Sequence, residues 1–232
     1  MDDELLIKKI AIIRTDFQEK FGIPRQSGRV PELKGEIIFE PDYRTADALR
    51  GLSGFSHLWL IFDFSKSHCE KWSSTVRPPR LGGNKKIGVF ASRSPFRPNP
   101  LGLSAVKLDG IEFTEKQGPV LKVSGVDLLD GTPIFDIKPY IPYADIKSDA
   151  LGGYTDAVQD TFLEVEFPED LLKIIPKEKR NAVVMCLRED PRPHYKEDSD
   201  RVYNMLFAGF DIHFTVKNNT ATVIDVEDKN QG

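Results

Sequence analysis

The sequence predicts a mainly β protein whose last third adds a small α+β domain. Short apolar or alternating runs of strand length recur through the first 140 or so residues, and glycine, proline or Asp-Gly pairs close them. The longer helical stretches, 168–175 and 177–188, both fall in the last third. A chain of 232 residues with 40% hydrophobic and 29% charged residues can bury one full core, alone or with a small appendage.

Taken in order, residues 5–14 (LLIKKIAIIR) read as a first strand. The loop that follows is broken by Gly22, Pro24, Gly28 and Pro31 and is too polar to pack by itself. Its Arg25, Gln26 and Ser27 offer a guanidinium, an amide and a hydroxyl in consecutive positions. That set suits adenine edges, ribose hydroxyls or a carboxylate, and equally an ordinary surface loop. GEIIFE at 35–40 is a second strand, and Thr45 before ADALRGL reads as the cap of a short helix ending at Gly51 or Gly54. HLWLIFDF at 57–64 is apolar nearly throughout, as a buried strand is, with Trp59, Phe62 and Phe64 as core and His57 structural.

Residues 76–104 (VRPPRLGGNKKIGVFASRSPFRPNPLGLS) read as a strand, Ile87–Ala91, between two stiff loops rich in proline and arginine. From Lys71 to Lys107 there are eight Lys or Arg and no Asp or Glu. At the chain average of 36 acids in 232 residues, roughly six acids would be expected there. The net charge is −4, so this is a local positive field on an acidic protein, suited to phosphate or carboxylate. A Gly/Pro-rich connector with solvated arginines would have the same composition.

Segments 104–113 and 119–126 form a hairpin about EKQG, Asp130-Gly131 marks a tight turn, and 135–139 is a further strand. Polar, glycine-rich residues from Lys147 to Asp156 suggest a boundary, giving domains at 1–150 and 151–232, with the first sheet reaching to about 167. Two helices follow, then DPRPHY at 190–195, whose prolines hold Arg192 outward beside Tyr195 for stacking on unpaired bases, or serve as a plain connector. Segments 207–216 and 220–226 close the chain as a hairpin about residues 217–219.

Cys69 and Cys186 lack metal or redox spacing and read as free thiols of a reducing compartment. The amino-terminal MDDELLIKK lacks the features of a signal peptide, and no apolar run approaches the ~20 residues of a membrane span. The expectation is a cytoplasmic protein without metal. GxGxxG, GxxxxGK[ST], zinc-type His/Cys spacing and GxSxG are all missing, so a cofactor site must be built from loops of another kind.

GVFASRSPFRPNPLGLS, preceded by VRPPRLGGN, resembles the signature of the TrmO/TsaA-type family, also called YaeB-like or VirR-like. KFGIPRQSG at 20–28, ALRGLSGFSHLWLIF at 48–62, DLLDGTPIFDIKPYIPYAD at 127–145 and DPRPHY at 190–195 extend the likeness, in order, over nearly the whole chain. The resemblance implies a TsaA-like β-barrel instead of a doubly wound sheet, with a small α+β C-terminal domain. It implies S-adenosylmethionine-dependent methylation of N6 of threonylcarbamoyl-adenosine at tRNA position 37, beside the anticodon. Family members are homodimers with the cofactor site near the subunit interface.

Carried onto this sequence, the resemblance puts the cofactor against Arg25, Gln26, Ser27, Ser65, Lys66, Arg93, Leu103, Leu128, Leu129, Asp130, Gly131 and Thr132. Some members have His where this chain has Ser65. Arg93 is the natural partner for the donor's carboxylate or an RNA phosphate. Asp127, Asp130 or backbone carbonyls are expected to face the sulfonium. The accepting N6 is a weak nucleophile, so proton removal by Asp130 or Asp136, or by the modification's own carboxylate, should accompany attack. Arg77, Arg80, Lys85, Lys86, Arg97, Arg192 and Tyr195 are the RNA candidates. The alternatives are a non-catalytic RNA-binding barrel and a methyltransferase for another small substrate.

Overall fold

The computed structural model describes residues 5–78, 81, 85–156, 162–192 and 201–230. Six antiparallel strands close a barrel: β1 (Ala11–Thr15), β2 (Lys34–Phe39), β3 (His57–Asp63), β6 (Leu101–Thr114), β7 (Gly118–Ser124) and β8 (Thr132–Pro139). Their order is β1-β2-β7-β6-β3-β8, with β8 pairing back onto β1. Closure satisfies the edges that an open sheet would leave bare. A two-residue pair, β4 (Thr75–Val76) with β5 (Ile87–Gly88), forms a small arm beside the barrel.

Alternation explains which side chains fill the barrel. On β3, Leu58, Leu60 and Phe62 point inward and are at most 5% exposed. Trp59 faces the other way and packs against Tyr140, with ring centroids 5.5 Å apart. The apolar run is therefore one inner face and one half-covered outer face. Phe64 lies edge-on to Phe62 at 5.2 Å.

The second unit is a four-stranded sheet of β9 (Glu164–Glu166), β10 (Tyr203–Phe207), β11 (Phe210–Lys217) and β12 (Thr220–Asp228), in the order β10-β11-β12-β9. Helices α2 (Glu169–Ile174) and α3 (Lys177–Arg188) accompany it, each with a proline at its N-cap. Ala182, Val183, Cys186 and Leu187 are the buried face of α3. A one-turn helix, α1 (Pro142–Asp145), ends the barrel unit. Cys69 is exposed and Cys186 buried, both as free thiols.

Several expectations change. Residues 5–10 are not strand, and Leu5 and Leu6 stay exposed, because β8 and β2 pair β1 only from Ala11 onward. Ile87–Ala91 is strand for two residues only, then turns as a 3-10 helix over Val89–Ala91. Thr45 caps nothing with its side chain, and two 3-10 turns replace the short helix. The strand expected at 207–216 starts at Phe210 and pairs with β12 as expected, while Phe207 ends β10, since Ala208 and Gly209 turn with positive φ between β10 and β11. The segment expected to extend the barrel to about 167 instead runs parallel to β12, because closure of β8 on β1 leaves the barrel no edge to extend.

The loop 16–33 forms the seam between the units. One buried apolar cluster runs through both. Phe17 meets Phe207 at 5.5 Å, and Phe21 stacks on Tyr203 and Phe214. Ala208 N–H donates to the Asp16 carbonyl, and Lys179, Asn181 and Glu189 engage Asp16, Glu32 and Arg29. Gly22 has φ +95°, and a Cβ there would sit 2.6 Å from the Met205 sulfur, so only glycine fits this contact. A loop too polar to pack alone is thus held by packing on a second domain.

Candidate functional site

A cavity of about 640 Å³ opens where the seam loop, the end of β3, the basic loop, the start of β6 and the β7–β8 connection converge. The seam loop brings Lys20 and Ile23 to Gln26, and the end of β3 brings Phe62 to Ser67. The basic loop adds Arg93, Arg97 and Asn99, and β6 adds Leu101 to Ser104. Asp127, Leu128, Leu129 and Thr132 complete the wall. Leucine and phenylalanine supply apolar faces, and a few convergent polar groups sit among them, as in small-molecule sites.

The lining carries five cations, Lys20, Arg25, Lys66, Arg93 and Arg97, against two carboxylates, Asp63 and Asp127. Most of these are braced. Lys20 donates to the Lys66 carbonyl (2.6 Å) and to Ser67 Oγ (2.9 Å), strapping the seam loop to the end of β3. Arg93 donates to the Gln26 side chain. Arg97 donates to the Ser92 and Ser94 carbonyls and so stiffens its own loop. Arg25 reaches the carbonyls of Asp190 and Arg192 in the second unit. Asp63 lies 2.6 Å from His68 Nε2.

Asp127 differs. Its Oδ1 is shut off from solvent and has no hydrogen-bond partner among the described residues. Burial pushes its pKa up to about 6, against the pull of the Ser104 hydroxyl, the N–H groups of Asp127 and Ser27, and the Arg93 charge.

Of the residues that sequence assigns to the cofactor, Arg25, Gln26, Ser65, Lys66, Arg93, Leu103, Leu128, Leu129 and Thr132 line this one cavity. Ser27 meets it through its N–H beside Asp127. Asp130 and Gly131 do not line it. The turn points the Asp130 carboxylate at β1, where it accepts from Arg14 and from Thr15 N–H, both at 3.0 Å. Asp136 is also off the wall, accepting from Ile137 N–H and paired with Lys138. Neither expected base therefore reaches the cavity; the carboxylate three residues before Asp130 does.

Arg77, Lys85 and Lys86 are exposed on the arm, outside the cavity. Arg80 and Tyr195 lie outside the described residues. Arg192 is not held outward. Its side chain is 17% exposed and clasps the buried Asp190 with Nε–Oδ1 at 2.7 Å and a second bond at 2.9 Å. The buried carboxylate draws the arginine in. Sequence reasoning passed over Lys20, Asp63, Asn99 and Ser104. A lone hydroxyl on the inner face of β6 and an acid ending an apolar strand were the available signals.

Residues 12–146 match the family model described as the tRNA-methyltransferase O N-terminal domain, and residues 160–229 match the TrmO C-terminal domain. The tRNA (adenine(37)-N6)-methyltransferase of Escherichia coli K12 is 41% identical over 217 residues, covering 90% of this chain and 92% of that one. The RcsF protein of Pseudomonas aeruginosa, whose name carries S-adenosylmethionine, is 40% identical over 216 residues, covering 90% and 91%. A crystal structure of TrmO from Pseudomonas aeruginosa superposes with a TM-score of 0.77 at 34% identity, covering 97% of this chain and 99% of that one.

Proposed function

Because the chain belongs to the TrmO family of tRNA methyltransferases, we propose that it methylates N6 of adenine 37 in tRNA, with S-adenosylmethionine as donor and threonylcarbamoyl-adenosine as the accepting nucleoside. The observation that carries this reading is the convergence of the seam loop, the basic loop and the DLLDGT segment on a single cavity. These segments are far apart in sequence, and their convergence on one cavity supports a shared ligand.

The cavity fits the donor. Its size falls within the roughly 300–1,000 Å³ of small-molecule sites. Leu103, Leu128 and Leu129 offer apolar walls for an adenine ring. Arg93 and Arg25 offer guanidinium groups for a carboxylate. When bound, the donor supplies a methyl group on a sulfonium that is displaced in line. The chain's own task is then to orient two reactants and exclude water. Lys20 and Gln26 do so by tying the seam loop to the walls opposite it.

Arg77, Lys85 and Lys86 lie exposed on the arm and suit RNA phosphates. Phe96, Leu101 and Leu103 are 40–55% exposed at the rim, an apolar surface that a second copy would cover in a homodimer. The protein then works in the cytoplasm, where its substrate is. The test combines calorimetry with S-adenosylmethionine and methyl incorporation into tRNA with and without the threonylcarbamoyl group. Binding and transfer only to modified tRNA are expected. Binding with transfer to neither tRNA, or transfer to both alike, would remove the assignment of substrate.

A further inference from the structure

Methyl transfer to N6 must dispose of the N6 proton, and the residues expected to take it do not reach the cavity. Asp130 is committed to Arg14 and the Thr15 N–H, and Asp136 to Ile137 N–H and Lys138. Of the two carboxylates that line the cavity, Asp63 is held by His68. Asp127 remains: it lines the cavity, and its buried Oδ1 has no hydrogen-bond partner among the described residues. A carboxylate denied a hydrogen bond on one oxygen binds a proton more readily than one fully solvated.

We propose that Asp127 is the general base of the transfer. The inference rests on the reading of the protein as an N6-methyltransferase. As the N6 lone pair forms the N–CH3 bond and the S–CH3 electron pair stays on sulfur, the N6–H bond breaks and its proton passes to the Asp127 carboxylate. The products are N6-methylated nucleoside, neutral thioether and protonated Asp127, which returns its proton to water once the products leave.

The surroundings suit this role. The basic loop presents Arg93 to Asp127 and carries Arg97 on the same cavity wall, and the seam loop presents the Ser27 N–H and carries Lys20 and Arg25 on that wall. The end of β3 contributes Lys66 and the His68-bound Asp63, while β6 contributes only the neutral Ser104. Burial pushes the Asp127 pKa up to about 6, and hydrogen bonds from Ser104 and from the N–H groups of Asp127 and Ser27, with the Arg93 charge last, keep it from rising further. The base is thus ionised at neutral pH and still basic enough to accept a proton, the compromise general-base catalysis favours.

The experiment measures single-turnover methylation of modified tRNA at saturating donor from pH 5 to 8.5 for the wild type, Asp127→Asn and Asp136→Asn. Donor affinity is measured on the same proteins by calorimetry. Wild-type and Asp136→Asn rates should rise tenfold per pH unit below about 6 and level above it. Asp127→Asn should be slower by about 100-fold or more at pH 7.5, with no such limb and donor affinity within threefold. An Asp127→Asn rate within threefold of wild type overturns the proposal. So does a donor affinity weakened tenfold with the saturated rate intact, which would make Asp127 a counter-charge for the sulfonium. If Asp127→Asn does not fold, Asp127→Glu must keep the pH limb at a reduced rate. A wild-type protein that methylates no tRNA removes the functional reading itself and the base with it, and is distinguishable because no variant comparison is then needed.

Discussion

Asp127 keeps its charge at a thermodynamic cost. Its folded pKa near 6 lies above the unfolded value of 3.8, so between these values the folded state holds more protons than the unfolded. Stability therefore falls as pH rises through that window and stays lower above pH 6. The shift of about two units corresponds to at most about 3 kcal/mol. Asp127→Asn should melt at a higher temperature than wild type at pH 8 and lose that advantage at pH 4, a result calorimetric melting would show. Arg192 calls for the opposite treatment. Arg192→Ala strips the bidentate partner from a buried carboxylate and should cost about 3 kcal/mol in urea unfolding. Because this side chain is turned inward, its loss should leave the salt dependence of tRNA binding unchanged. Removing exposed Lys85 or Lys86 should lower that slope by about 1 each, as measured by binding across a salt series.

At the scale of the element, β6 and β3 shape the cavity through one close approach. Gly102 is the direct cross-strand partner of Phe62 on the neighbouring strand, and a Cβ at Gly102 would lie 2.2 Å from that ring. Gly102→Ala must push Phe62 and the cavity wall apart, an overpacking cost of about 1–3 kcal/mol. Urea unfolding should show this loss, and donor affinity should fall with it because Gly102 and Phe62 both line the cavity. The basic loop is stiffened differently. Its prolines remove backbone freedom, and Arg97 ties it to its own carbonyls, so one arginine expected to bind RNA is spent in part on holding the loop's shape.

At the scale of the molecule, the second unit is part of the cavity's support. We propose domain limits of 1–150 and 151–232, yet the seam loop has one face on the cavity and the other on β10, β11 and α3. A chain ending at residue 150 would leave Phe17 and Phe21 without Phe207, Tyr203 and Phe214. Such a protein should bind S-adenosylmethionine at least tenfold more weakly than the full chain by calorimetry. Equal affinity would show that the barrel holds the seam loop unaided.

Local patterns determined much of this from sequence alone. The hairpin pattern of 104–113 and 119–126, the Asp-Gly turn at 130–131 and the apolar stripe of 177–188 each report a neighbour within a few residues, so their elements were legible. The resemblance likewise marked most of the cavity wall, since the motifs from Arg25 to Thr132 could be carried over residue by residue, where composition alone fitted ordinary loops equally well. Orientation was not legible. Whether Asp127, Asp130 or Asp136 faces the cavity depends on how a turn settles against β1, and whether Arg192 points out depends on a buried carboxylate two residues away. The partner of β9 and the packing of the seam loop depend on chain segments more than 50 residues distant, and the environment of Asp127 on Ser104, Arg93 and Ser27 from three other segments. Short-range chemistry sets which residues are available for a site, and long-range packing sets which way each one faces.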